Sequence, residues 1–408
     1  MPKVAYGDGT LEFELMPGDE LTEASPVDDY PDWDTDRFRQ RLEATDFERF
    51  VSFGRVLIVV NDAFRPTPTG TVLSQLKKLY PDIKADFIVA CGNHPPPDDD
   101  DLNTIFEGFD RPTDSQLIYH NSRDYDDMVQ IGESDDFRVY LNKAIFDYPA
   151  VITIGSVEPH YFAGYTGGRK SLIPGLSDIE TNRRNHAKAV SLDARPMRLK
   201  GNPVAEDLDK LIRLGKLPEL YSIQIVNGPN RNIIDCFGGS LHDAFAQAVA
   251  VAETVYCFKA SKAFDLVIAE MRPPLDRNLY QMQKAVENCA EVVADSGTII
   301  AVSSCRDGVG NSEFLELAKK LGSRENALKK ATDKNPPLGI HKLSRIVGMA
   351  ERIRVKALTG VEADILESVF FEPATSLNDE LDGLRQVKKK LNILLVRDAG
   401  LLVAKLDF

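Results

Sequence analysis

Residues 55–62 read RVLIVVND. Five aliphatic residues, Val56 to Val60, stand in a row between an arginine and an Asn-Asp pair. The run is too short for a helix and rich in β-branched residues. It shows no alternation of apolar and polar positions, so it reads as a strand buried on both faces, as in the interior of a parallel sheet. The same signature recurs in DFIVACGN (86–93) and AVITIGSVEP (150–159), and later in FDLVIAE (264–270), GTIIAVSS (297–304) and NILLVRD (392–398). Amphipathic stretches such as TVLSQLKKLY (71–80) and NSEFLELAKKLG (311–322) lie between them. Strand and helix patterns in alternation predict an α/β fold with mostly parallel sheets.

A chain of 408 residues exceeds what one core comfortably holds. Strand, helix, strand appears once before residue 255 and again after residue 262. The expected division is therefore an N-terminal α/β domain over 1–255 and a C-terminal α/β domain over 256–408, with a ligand cleft between them. The boundary is expected inside AETVYCFKASKAF (252–264); one large sheet is the alternative.

Composition narrows the function classes. A net charge of -14 argues against nucleic acid or an anionic membrane surface as partner. No apolar run reaches the length of a bilayer span, and MPKVAYGDGT at the start carries no export signal. The cysteines, Cys91, Cys236, Cys257, Cys289 and Cys305, are dispersed without a CxxC pair, as expected of reduced thiols. A cytoplasmic location is the expectation.

In open α/β sheets, ligands gather beyond the carboxyl ends of the strands. Four such places carry unusual residues. NDAFRPTPTG (61–70) offers Asp62, Arg65, Thr67 and Thr69, which could cradle a phosphate or carboxylate, or could be a stiff turn in which Asp62 caps the next helix. ACGNHPPP (90–97) places His94 just past a strand, and the acidic run Asp98 to Asp101 after it reads as a solvated loop. EPHYFAGYTGGRKSLIPG (158–175) brings His160, a glycine pair, Arg169 and Lys170 together. Burial and a neighbouring cation would lower the Lys170 pKa and make its amine nucleophilic. NRRNHAKA (182–189) follows with His186 among basic residues, which could equally form a solvated helix face. In the second half, Gln281 and Lys284 of NLYQMQKA (278–285) sit one helical turn apart, placed to hold a carboxylate or to face solvent. No HxxxH or HExxH pair exists, so a metal would need ligands from a cofactor, completed by a single histidine.

Taken together, YGDGTLEFELMP, DAFRPTP, GNH, PHYFAGYTGGRKSLIPG, NHAKA, NLYQMQKA and CRDGVG, in this order and spacing, resemble the lactate racemase family across nearly the whole chain. The resemblance implies a racemase or epimerase that inverts Cα of a 2-hydroxy acid by reversible hydride transfer to a nickel-pincer nucleotide, a Ni(II) pyridinium-3,5-bisthiocarboxylic acid mononucleotide. It implies His94 and His160 as acid/base groups, and Asp62, Arg65, Lys170 and His186 at the cofactor, with His186 the nickel ligand. Arg65, Gln281 and Lys284 would bind the substrate, and enzymes that synthesise the pincer would supply the cofactor. Two other readings stand beside it: a non-catalytic binder of the pincer nucleotide or another anion, and a dehydrogenase using another nucleotide. The chain departs from the family pattern at Pro95 after His94, at Arg169 before the anchor lysine, and at EMRPP (270–274) before the substrate helix. The last two departures raise the expectation that Arg169 or Arg272 reads an extra polar group on a substrate larger than lactate.

Overall fold

The computed structural model describes every residue except Pro66, Lys334, Asn335, Leu338 and Phe408. The chain divides into two compact units. One comprises Val27–Lys188 and Arg198–Val255; the other comprises Met1–Pro26, Ala189–Met197 and Tyr256–Phe408.

The first unit is built on a six-stranded sheet in the order Ile233–Gly239, Glu219–Asn227, Ala150–Ser156, Arg55–Asn61, Lys84–Ala90, Leu117–Tyr119. Its pairings are parallel except for Glu219–Asn227 with Ile233–Gly239. The aliphatic run of Arg55–Asn61 feeds two cores at once. Val56, Ile58 and Val60 join the cluster on one face, with Phe38, Phe47, Leu73 and Phe87. Leu57 and Val59 join the other, with Ile88, Leu172 and Leu208. Side chains alternate across a strand, so an unbroken apolar run is what burial on both faces requires. From Arg55–Asn61 the chain winds outward to Lys84–Ala90 and Leu117–Tyr119, then returns to Ala150–Ser156 on the opposite flank. The order therefore reverses between Arg55–Asn61 and Ala150–Ser156, and the crevice outside the carboxyl ends of those strands is where such folds take ligands.

Two local details depart from the sequence reading. The acidic run is no solvated loop: Asp98 caps the helix Asp99–Ile105, and Asp98 and Asp101 form a capping box. Carboxylates suit a helix N-terminus because they satisfy its free N–H groups and oppose its dipole. Asp62 does not cap the next helix, Thr69–Leu79, whose N-cap is Pro68 without a side-chain hydrogen bond.

The second unit holds a fully parallel six-stranded sheet in the order Glu372–Pro373, Arg354–Leu358, Val293–Val302, Phe264–Glu270, Asn392–Val396, Glu20–Ala24. The expectation that residues 1–255 form one domain does not describe these units. Strand Glu20–Ala24 is the edge of this second sheet, paired with Asn392–Val396. The buried Glu270 carboxylate accepts from the Ala5 N–H at 2.8 Å and from Arg397 at 2.7 Å. Residues 189–197 join the same unit, where Arg345 donates to the Ser191 carbonyl at 2.8 Å. No helix among the described residues is long and apolar enough to cross a membrane.

Candidate active site

At the reversal point of the first sheet, a cavity of about 150 Å3 is lined by Asp62, Arg65, His94, His160, Lys170 and His186, among others. Each arrives on a segment that follows a strand. Asn61 and Asp62 end Arg55–Asn61, His94 lies past Lys84–Ala90, and His160 and Lys170 follow Ala150–Ser156.

The first loop is pinned from within. Asn61 Nδ2 donates to Thr67 Oγ1 at 2.8 Å, and Thr67 Oγ1 lies 2.9 Å from Ser156 Oγ. The Thr67 hydroxyl, a candidate ligand contact in the sequence, is thus taken up in joining two strand ends. Asp62 turns its carboxylate to His94, with Oδ2 2.6 Å from Nδ1. The His94 side chain is 48% exposed and packs against the ring of Phe64 at 4.4 Å.

His160 stands in a short antiparallel pairing with Gly164, and its Nδ1 accepts the Ala163 N–H at 3.2 Å. Its ring stacks on Tyr161 at 5.3 Å and meets the edge of Phe162 at 4.5 Å. Buried Phe162 also contacts His186 at 5.2 Å and lies 5.7 Å from Lys170 Nζ, so one ring braces three cavity residues.

Lys170 sits in the helical turn Gly168–Ser171. The turn starts at Gly167 with φ +75°, where a Cβ would fall 2.5 Å from Gln224 Oε1. The Gly168 N–H donates to that same oxygen at 2.6 Å. Gly167 is therefore fixed twice, by its left-handed backbone and by the close approach of Gln224. Burial holds the Lys170 amine well below its usual pKa of 10.5, and the Arg65 and Arg169 guanidiniums add to the effect. A lowered pKa favours the unprotonated amine, the form that acts as a nucleophile.

His186 lies on helix Ile179–Ala187, which is N-capped by the fully buried Asp178. Its Nδ1 is 2.7 Å from the Asn182 carbonyl oxygen. A carbonyl only accepts, so Nδ1 carries the hydrogen and Nε2 the lone pair that a metal would use. Burial pushes the His186 pKa down to about 4, helped by the Lys170 and Arg65 charges, so the ring is neutral. The Asn182 side chain donates to Asn93 Oδ1 at 2.8 Å, tying this helix to the His94 loop.

Other basic residues expected near the site are engaged elsewhere. Arg169 is buried, ion-paired with Asp209 at 3.0 Å and stacked over Phe245 at 5.0 Å, so it does not line the cavity and reads no substrate there. Arg183 and Arg184 both pair with Glu180, and Lys188 pairs with Asp207. Of the NRRNHAKA run, His186 alone lines the cavity. Gln281 and Lys284 belong to the second unit, on helix Leu279–Cys289 capped by Asn278. Arg272, in the same unit, is ion-paired with Glu270 at 2.7 Å. Sequence reading did not single out Asn182, Phe162 or Gln224. Asn182 and Gln224 act in part through side-chain bonds to residues distant in the chain, Asn93 and Gly168, and Phe162 through ring packing; only the strand-like run IQIVN around Gln224 left any local signal.

Among the described residues no cluster of three or more His, Cys, Asp or Glu could hold a metal by itself. The cavity instead combines one imidazole with Nε2 available, one buried amine of lowered pKa, one guanidinium, and an imidazole held by a carboxylate. That donor set suits an anionic organic group that brings its own metal ligands.

Comparisons with known proteins speak to family and fold. The sequence model of the lactate racemase N-terminal domain matches residues 6–196, and that of the lactate racemase C-terminal domain matches residues 259–403. The chain is 29% identical over 266 residues to a lactate racemase of Lactiplantibacillus plantarum, covering 64% of this chain and 62% of the relative. It is 25% identical over 282 residues to the lactate racemase of Thermoanaerobacterium thermosaccharolyticum, covering 67% and 66%. The aligned part thus spans just under two thirds of each relative's length. Among solved structures, the lactate racemase apoprotein of T. thermosaccharolyticum superimposes with a TM-score of 0.84 at 21% identity, covering 99% of both chains. A Thermotoga maritima protein superimposes with a TM-score of 0.71 at 15% identity, covering 93% of this chain and 100% of that one. At these identities the structures speak for the fold.

Proposed function

The chain belongs to the lactate racemase family, and from that premise we propose that it is an isomerase inverting Cα of a 2-hydroxy acid, with a nickel-pincer nucleotide in the cavity of its first unit. The observation that carries the reading is the meeting of His94, His160, Lys170 and His186 around one cavity at the sheet's reversal point.

When bound, the pincer nucleotide supplies an electrophilic pyridinium carbon able to take up and return a hydride. The Cα–H of a hydroxy acid is a very weak acid, so removing hydride while a base takes the hydroxyl proton avoids a carbanion. The protein's part is to hold the partners and handle that proton. His186 would offer Nε2 to the nickel, its ring fixed by the Asn182 carbonyl. Lys170 would anchor the cofactor through its buried amine, whose pKa burial lowers. Arg65 offers a guanidinium fork to the phosphate or the substrate carboxylate. Asp62 serves at the cofactor edge and holds His94, and His94 and His160 are the acid/base pair. Gln281 and Lys284 of the second unit receive the substrate carboxylate. The enzymes that make the pincer are the partners this reading requires.

The test is chiral chromatography of single enantiomers from a panel of 2-hydroxy acids, incubated with protein co-expressed with the pincer-synthesising enzymes. Conversion to the opposite enantiomer, lost in His94→Ala, is expected. A panel without any conversion would overturn the proposal.

A further inference from the structure

The cavity has an apolar rim to which the acid/base chemistry gives no role. Phe64 is 65% exposed and belongs to neither of the cores that flank the first sheet. A single exposed apolar side chain needs no explanation by itself. This one is set apart by where it stands. Asp62 and Arg65, on either side of it in the chain, line the cavity, and so does His94, whose ring lies 4.4 Å from that of Phe64. Pro95 and Pro96, directly after His94, are exposed as well.

The loop that carries Phe64 is held in this shape. The Arg65 N–H donates to the Asp62 carbonyl at 3.2 Å, closing a tight turn around Ala63 and Phe64. Asn61 donates to Thr67 at 2.8 Å, and Thr67 lies 2.9 Å from Ser156 Oγ, so both flanks of the turn are tied to strand ends. The ring is thus presented to solvent beside His94 by a pinned turn.

We propose that Phe64 is a specificity-determining residue: with Pro95 it receives the side chain of the 2-hydroxy acid, and the preferred substrate carries a branched or aromatic apolar side chain larger than the methyl group of lactate. The inference rests on the racemase reading, which brings the substrate hydroxyl to His94. The carbon that bears this hydroxyl also bears the side chain, which therefore leaves the reacting centre close to the ring packed on His94. A charged side chain fits this rim poorly. The extra cation expected for it, Arg169, is turned to Asp209 and Phe245, and the Asp62 carboxylate stands 2.6 Å from His94. An isobutyl or benzyl group laid on Phe64 removes apolar surface of both partners from water, and contact of this kind is worth on the order of 10-fold in selectivity.

The test is isothermal titration of protein co-expressed with the pincer-synthesising enzymes, using lactate, 2-hydroxysuccinate, 2-hydroxy-4-methylpentanoate and 3-phenyllactate. The two apolar acids should bind on the order of 10-fold more tightly than lactate. Phe64→Ala should bring that ratio toward one, and Phe64→Leu, which keeps an apolar side chain, should give an intermediate ratio. Unchanged circular dichroism is expected of both variants, since the side chain lies outside both cores. A role confined to steadying His94 would slow the turnover of every acid by one factor and leave the ratios alone, so kcat/KM for each acid is measured on the same samples. Binding of none of the acids, a preference for 2-hydroxysuccinate, or ratios unchanged in Phe64→Ala would overturn the inference. Selective binding without inversion of any acid would sink the racemase reading while leaving the side-chain site standing.

Discussion

The Nδ1 atom of His186 lies 2.7 Å from the carbonyl oxygen of Asn182, one helical turn earlier, while the Asn182 side chain reaches Asn93 beside His94. One residue thus orients the candidate metal ligand through its backbone and the acid/base loop through its amide. This is the outer-shell arrangement that fixes an imidazole's tautomer and direction.

Replacing His186 separates metal holding from cofactor anchoring. In His186→Ala, protein co-expressed with the pincer-synthesising enzymes should still bind the organic cofactor while its nickel content falls, on the order of 10-fold or more. Metal analysis and native mass spectrometry on the same sample check this. Unchanged nickel would remove His186 from the metal site.

Gly167→Ala should damage the anchor more than the fold. The new methyl group meets Gln224 Oε1, Ser156 O and Val157 within 2.8 Å, in a left-handed backbone. A stability loss of about 1–3 kcal/mol in urea unfolding is expected. Cofactor loading should fall disproportionately, because the Gly168 N–H···Gln224 bond that sets the Lys170 turn is displaced.

Glu270 is a buried carboxylate shared by Ala5, Arg272 and Arg397. Glu270→Ala leaves Arg397 without that partner and frees the N-terminal arm. A loss of roughly 3–5 kcal/mol is expected by urea denaturation. The arm should also gain sensitivity to limited proteolysis, since Arg397 and Glu270 hold residues 3–5 against the second sheet.

His120 gives the protein a pH dependence with a definite sign. It is fully buried, and burial pushes its pKa from 6.5 down to about 4. Between those values the unfolded chain binds the proton and the folded chain does not, so stability falls as pH drops below 6.5 and the loss is complete near pH 4. The group's share is on the order of 3 kcal/mol. Urea midpoints measured from pH 7 to pH 4 should fall, less steeply in His120→Gln. A slope identical in the variant would count against this.

How much of this was legible in the sequence follows from the kind of contact involved. Three strands of each sheet were readable because residues such as Val56 to Val60 serve two cores at once, which leaves an unbroken apolar run. The cavity residues were readable because parallel sheets put ligands at strand ends, where Asp62, His94 and His160 stand. The edge strand Glu20–Ala24 was not readable: ELTEA has no apolar run, and its place depends on backbone pairing with residues near the other end of the chain. Arg169 shows the same limit. Its charge is visible in sequence, but whether it faces a ligand or Asp209 and Phe245 is decided by elements folded around it. The Asp62–His94 bond likewise joins two loops that only the sheet brings together.

The central claim is that Cα is inverted by hydride leaving and returning, with the histidines moving only the hydroxyl proton. The most direct measurement is to incubate one pure enantiomer of a turned-over 2-hydroxy acid with cofactor-loaded protein in D2O and analyse the opposite enantiomer by NMR and mass spectrometry. The account predicts inversion with no deuterium at Cα. Deuterium at Cα in the inverted product would mean that a base removes the Cα proton, and would contradict it.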